Sequence, residues 1–118
     1  MGQSFRELVV WQRAVQLSLA IYKLTASFLA SERFGLTNQM RRASVSVASN
    51  IAEGYGRASR GEYVQFLGHA CGSNCELQTQ LTISHALGFG TALSHSEAEN
   101  LSSEVNKMLV AMMSKLQC

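Results

Sequence analysis

Residues 39–60 read QMRRASVSVASNIAEGYGRASR, and the fold turns on how this stretch is arranged. Met40, Ala43, Val47 and Ile51 recur at steps of three and four, which is the spacing of one helical stripe facing a core. At 100° per residue, however, Val45, Ala48 and Ala52 fall roughly 100–160° from the centre of that stripe, on the side that should face water. A helix with small apolar residues on its back predicts a second covering surface. Arg41 and Arg42 flank this back face, and Arg57 and Arg60 add positive charge around the exit at Gly54-Tyr55-Gly56.

Outward from this stretch, the hydropathy pattern predicts three more helices. Val10, Ala14, Leu17, Ile21, Leu24 and Phe28 form a narrow bundle-type seam, widened by Trp11, Val15 and Tyr22. Ser4-Phe5-Arg6-Glu7 has the Ser-x-x-Glu form of a capping box, so the first helix is expected to begin there. The period lapses from Leu29 to Gly35, predicting a link, and Leu36 or Thr37 opens the second helix. Ser59-Arg60-Gly61-Glu62 is a second capping box. It opens a long helix carrying Tyr63, Leu67, Ala70, Leu77 and Leu81 up to Gly88-Phe89-Gly90. Ser94-His95-Ser96-Glu97 is a third, followed by the seam Ala98, Leu101, Val105, Met108, Met112 and Leu116. Short links favour antiparallel neighbours, so the expected fold is all-α: a single domain over residues 1–118, an up-down-up-down four-helix bundle.

Composition agrees with that class. The chain has 118 residues, 47% of them hydrophobic, no proline and nine glycines, which suits neither disorder nor a turn-rich β fold. Net charge is +2 but uneven. Residues 1–60 carry eight Lys/Arg against three Glu, whereas the remainder carries Lys107 and Lys115 against five Glu. Such asymmetry fits a basic surface for polyanions or complementary pairing between copies. No apolar run approaches the ~20 residues that span a bilayer, and no basic-then-apolar leader is present, so a cytoplasmic location is expected. Three cysteines, Cys71, Cys75 and Cys118, leave at least one unpaired, as suits a reducing compartment.

Catalytic and metal signatures are scarce. Without aspartate there is no Ser-His-Asp set, and His69, His85 and His95 are too dispersed along the chain to suggest a base paired with Cys71 or Cys75. Cys71 and Cys75 at i, i+4 have His69 and Glu76 beside them, but zinc normally takes four placed ligands and free cysteine is commonly a small core residue. No metal, cofactor or enzymatic activity is therefore expected. Gly54-Tyr55-Gly56 follows a helix and lacks the Lys-Ser/Thr of a phosphate loop, which predicts a glycine C-cap in the left-handed conformation. Gly68 and Gly72 inside the third helix each cost about 1 kcal/mol relative to alanine, and the expected compensation is close approach of another helix, from this chain or a neighbouring copy.

The segments FRELVVWQ (5–12), IYKLT (21–25), ERFGLTNQMRRA (32–43) and SNIAEGYGR (49–57) closely resemble the four-helix-bundle family that includes the 23S rRNA intervening-sequence proteins. The same family includes the accessory variability determinant of diversity-generating retroelements. The resemblance runs from about Phe5 to Gly88, and the chain has Leu29 and Ala48 where the family often has proline. It implies an antiparallel bundle assembled as a ring-like homopentamer, without a shared enzymatic activity. It also implies nucleic acid or a reverse transcriptase as partner. Arg41, Arg42, Asn50, Glu53, Gly54, Gly56 and Arg57 are the positions that carry over. Together these readings nominate Arg41, Arg42, Arg57 and Arg60 for nucleic acid, and Val45, Ala48, Ala52, Gly68 and Gly72 for contacts between subunits.

Overall fold

The computed structural model describes residues 4–117. Four helices account for most of them: α1 Val9–Thr25, α2 Leu36–Tyr55, α3 Arg60–Ala86 and α4 Ala92–Gln117. Each helix packs against its two cyclic neighbours, so they stand at the corners of a square prism about 45 × 21 × 20 Å, with α1 next to α2 and α4. Short 3-10 turns occupy Phe5–Glu7 and Ala30–Glu32.

The predicted stripes of α1, α2 and α3 form most of the core, whereas α4 is rotated from its expected seam: it buries Ala98, Ser102, Val105 and Leu109 and leaves Leu101, Met108, Met112 and Leu116 partly buried. Val10, Ala14, Leu17, Ile21 and Leu24 of α1 meet Met40, Ala43, Val47 and Ile51 of α2, Leu67, Ala70, Leu77 and Leu81 of α3, and Ala98, Val105 and Leu109 of α4. Two polar residues sit in the same register and are buried with them. Asn74 Nδ2 donates to the Ser102 carbonyl at 2.9 Å and Ser102 Oγ donates to Asn74 Oδ1 at 2.8 Å, so both groups are satisfied while α3 is tied to α4. Because an unpaired buried amide is costly, this lock also fixes the lengthwise register of the two helices.

Of the three helix starts expected from capping boxes, two come out differently. Ser4 does cap a turn, accepting from Arg6 N at 3.1 Å, but the turn is 3-10, Leu8 is extended, and α1 begins at Val9. Packing explains the break: Phe5 folds back edge-to-face on Trp11, with ring centroids 5.2 Å apart, and Gln12 Nε2 holds the Arg6 carbonyl at 2.9 Å. Ser59 caps α3 as expected, accepting from Glu62 N at 3.1 Å. α4 starts at Ala92, two residues before Ser94, because Thr91 Oγ1 takes the Ser94 amide at 3.1 Å.

Glycine roles are also redistributed. Gly56 follows α2 with an ordinary φ of −83°, and Gly54 is buried inside the helix. A Cβ at Gly54 would lie 2.7 Å from Phe66 Cβ, so its absence lets α3 approach α2. The left-handed glycines are instead Gly88 and Gly90, with φ of 77° and 75°, which reverse the chain between α3 and α4. Gly68 and Gly72 meet nothing of this chain within 4 Å of a built Cβ, so the close approach expected of them does not come from the chain's own helices.

Candidate nucleic-acid interface

The four nominated arginines fall into two groups at opposite ends of α2. Arg42 lies thirteen residues before Tyr55, the last residue of α2, about 20 Å at 1.5 Å per residue, and Arg57 follows beyond that end. At the first end, Arg41 is held in place: its Nε donates to Thr25 Oγ1 at 2.8 Å and its guanidinium lies 4.6 Å from the centre of the Tyr22 ring. Thr25 is itself buried in the last turn of α1, where its hydroxyl returns a proton to the Ile21 carbonyl at 2.8 Å. Arg42, one residue on and exposed, makes no salt bridge among the described residues. The two arginines share a groove of about 540 Å3 with Tyr22, Asn38, Val45 and Ser46, and no acidic residue lines it. Across the Arg42 ridge a second groove of about 500 Å3 is lined by Asn38, Gln39, Ser46, Ser73 and also Glu76, which makes it the less favourable of the two for an anion.

At the other end the charge is largely spent within the chain. Arg57 pairs with Glu53 at 3.7 Å and covers the Phe66 ring at 4.6 Å. Arg60, exposed at the start of α3, makes no salt bridge among the described residues. Elsewhere the acidic half of the sequence neutralises the basic half. Glu104 of α4 takes Arg13 at 3.0 Å, and Glu97 takes Lys23 at 3.5 Å. Two of the eight cations in residues 1–60 are thereby paired across α1–α4, and Arg41, Arg42 and Arg60 are the nominated arginines without a salt bridge among the described residues.

The back face of α2 is apolar and open. Val45 is 44% exposed and Leu19 on the adjoining α1 is 66% exposed. With Trp11, Val15, Ala48 and Ala52 they line a groove of about 290 Å3 between α1 and α2. Val45 lines both this groove and the Arg41–Arg42 groove, so the two run into each other along one face. Ser18 and Ser44 close the floor between the helices with a 3.1 Å hydrogen bond.

The remaining motif residues build the α2–α3 corner. Asn50 Nδ2 donates to the Ser46 carbonyl at 2.8 Å, and Ser46 in turn shares a 2.9 Å hydrogen bond with Ser73 of α3. Tyr55 meets Tyr63 edge-on at 6.0 Å, and burial, followed by the neighbouring Tyr55, raises the Tyr63 phenol above its usual 10.0. Asn50 and Gly54 therefore act on the fold, while Glu53 and Arg57 form an exposed pair at its edge.

A sequence model of the 23S rRNA-intervening sequence protein family matches residues 6–111. The chain belongs to this family. A crystal structure of a protein of unknown function from the S23 ribosomal protein family of Bacteroides thetaiotaomicron has the same fold, with a TM-score of 0.80. It is 23% identical in sequence, and the match covers 89% of this chain and 98% of that one. No curated protein matches the sequence. Among the described residues, no helix is long and apolar enough to cross a membrane.

Proposed function

We propose that this member of the 23S rRNA-intervening sequence protein family is a non-enzymatic homo-oligomer that binds the phosphate backbone of structured RNA or DNA. The observation that carries the reading is the groove holding Arg41 and Arg42 without an acidic neighbour, continuous through Val45 with an open apolar face. In this reading a second copy covers Trp11, Leu19, Val45, Ala48 and Ala52, and the cationic groove lies at the edge of the contact. Each added subunit then repeats the same pair of arginines, and several weak phosphate contacts combine through avidity. The family resemblance sets the expected count at five. Arg41 supports the reading because a guanidinium already fixed on Tyr22 loses little freedom when a phosphate arrives. Arg60 adds a second, weaker contact region.

The test combines light scattering with salt titrations against a structured RNA and a DNA duplex. Affinity is expected to fall with salt by a log–log slope of about −0.7 to −0.9 per phosphate neutralised. Arg42→Glu should weaken binding to every sequence alike, and Arg60→Glu should weaken it less. Salt-insensitive binding, or equal losses at Arg42 and Glu76, would count against the phosphate reading. Assembly without nucleic-acid affinity would turn the same face into an adaptor for a protein such as a reverse transcriptase.

A further inference from the structure

His85 and His95, ten residues apart in sequence, come together where α3 turns into α4. Their rings lie 4.9 Å apart and edge-on, and Glu99, one helical turn beyond His95, joins them. One ligand atom from each of His85, His95 and Glu99 lies within 4.8 Å of the others, the one such cluster among the described residues. The hairpin at the left-handed Gly88 and Gly90 thus brings together two histidines ten residues apart in sequence, with no cysteine among them.

We infer that His85, His95 and Glu99 form a binding site for a divalent transition-metal cation of the zinc type, clipping α3 to α4. The state of His95 carries the argument. The side chain is 2% exposed, and Nε2 lies 2.7 Å from the Phe89 carbonyl oxygen. A carbonyl only accepts, so the contact assigns a ring proton to Nε2, and in the neutral tautomer that matches it Nδ1 carries the lone pair. That Nδ1 is buried and has no hydrogen-bond partner. An imidazole with one nitrogen donating to a backbone carbonyl and the other free is the arrangement in which histidine ligates metals, the carbonyl fixing both tautomer and ring orientation.

The surroundings hold that ring in place. A Cβ at Gly90 would lie 3.5 Å from His95 Nε2 and 2.5 Å from Leu24 Cδ1, so the turn is seated directly on the imidazole and the core. A cleft of about 140 Å3 opens beside it, lined by His85, Gly88, Phe89, Gly90, Ala92 and His95. Tetrahedral zinc with bonds of about 2.0–2.1 Å needs its ligand atoms roughly 3.3 Å apart, a contraction that the exposed side chains of His85 and Glu99 can make by rotation. Solvent would supply the fourth ligand. Two imidazoles and one carboxylate select zinc, copper or nickel over magnesium or calcium, which take oxygen ligands. The carboxylate, with the negative end of α3, offsets the positive end of α4 on which the cation would sit.

The experiment uses the full chain, stripped with a chelator and titrated with Zn2+ by calorimetry and thermal melting, with Mg2+ as control. Zn2+ alone should raise the melting temperature, by on the order of 10 °C at a free concentration about 100 times the dissociation constant. His85→Ala and Glu99→Gln, both at exposed positions, should fold normally and each weaken Zn2+ by at least about 10-fold, the loss that follows even from removing an outer-shell partner. Co2+ should give a tetrahedral visible spectrum without a thiolate charge-transfer band. Absence of Zn2+ binding, binding unchanged in both variants, or a thiolate band pointing to the cysteines would overturn the assignment.

Discussion

The two sides of α2 are made of similar residues and meet opposite fates. Toward α3 the helix is in contact down to its backbone: Gly54 leaves no room for a single methyl group, and Ser46, Asn50 and Ser73 join by hydrogen bonds. Toward the α1 groove, Val45, Ala48 and Ala52 present small apolar groups that no part of the chain covers completely. Hydrophobicity alone does not separate these sides, since a valine occupies each: Val47 is fully buried and Val45 is 44% exposed. The motif SNIAEGYGR serves both sides: Asn50, Ile51 and Gly54 lie on the inner one, while Ser49 and Ala52 line the outer groove that continues upstream through Val45 toward Arg41 and Arg42.

The sharpest way to break this comparison is Gly54→Ala. On an open helix face the change would stabilise by about 1 kcal/mol through helix propensity. Here the new Cβ would lie 2.7 Å from Phe66 Cβ and 3.3 Å from the Tyr63 carbonyl oxygen. Overpacking of this kind costs about 1–3 kcal/mol, so urea denaturation should show a net loss. A gain would mean that α2 and α3 are less closely joined than described.

Gly68→Ala and Gly72→Ala supply the opposite case. Both positions are exposed and have open space around a built Cβ, so each substitution should raise the stability of the isolated subunit by about 0.5–1 kcal/mol. If a neighbouring copy packs on this strip of α3, the same methyl groups should weaken assembly, and light scattering would register smaller particles despite the more stable fold. A smaller effect on stability is expected from Val45→Glu, within about 0.5 kcal/mol for the subunit alone, since the site is partly exposed and no cap or buried network depends on it. Its readout is assembly: the carboxylate would be stranded in an apolar contact, and oligomers should dissociate.

Most of the architecture was legible because α1 and α2 carry in-register apolar stripes. The third helix was less so. Its register 67–70–74–77–81 passes through Asn74, and that of α4 through Ser102, so each helix shows a polar interruption where its apolar seam should continue. Two such interruptions are a signal for a buried pair, yet only the three-dimensional arrangement reveals that they are opposite each other. Gly54 was misread for a related reason. Its neighbours Tyr63 and Phe66 lie beyond a turn, and a glycine near a helix end looks like a cap when only local chemistry is considered. On sequence alone His85 and His95 are weighed only as partners for Cys71 or Cys75, because nearness across a hairpin does not show in sequence spacing. A Glu-x-x-His pattern sets its residues one turn apart on a single helix, whereas these come together across the α3–α4 turn.

The smallest effect concerns Cys71, which faces the inner side of α3, while Cys75 is exposed one turn away and Cys118 lies outside the described residues. Burial, with a smaller contribution from Cys75, raises the Cys71 thiol above its usual 9.0. In the folded state it therefore keeps its proton to higher pH than in the unfolded chain. The stability this provides is complete below about pH 9 and is lost as pH rises through the folded value. Denaturation midpoints measured upward from pH 8 should decline, and Cys71→Ala should flatten the first part of that decline. The later part should persist, because the raised Tyr63 phenol acts in the same direction from about pH 10 upward. Alkylation at pH 8 offers a second check on the same residue. Iodoacetamide should modify exposed Cys75 before half-buried Cys71, since reaction needs both access and thiolate. If Cys71 reacts first, α3 is not seated against the core at that position, and the contrast between the closed inner side of the bundle and its open outer face would have to be redrawn there.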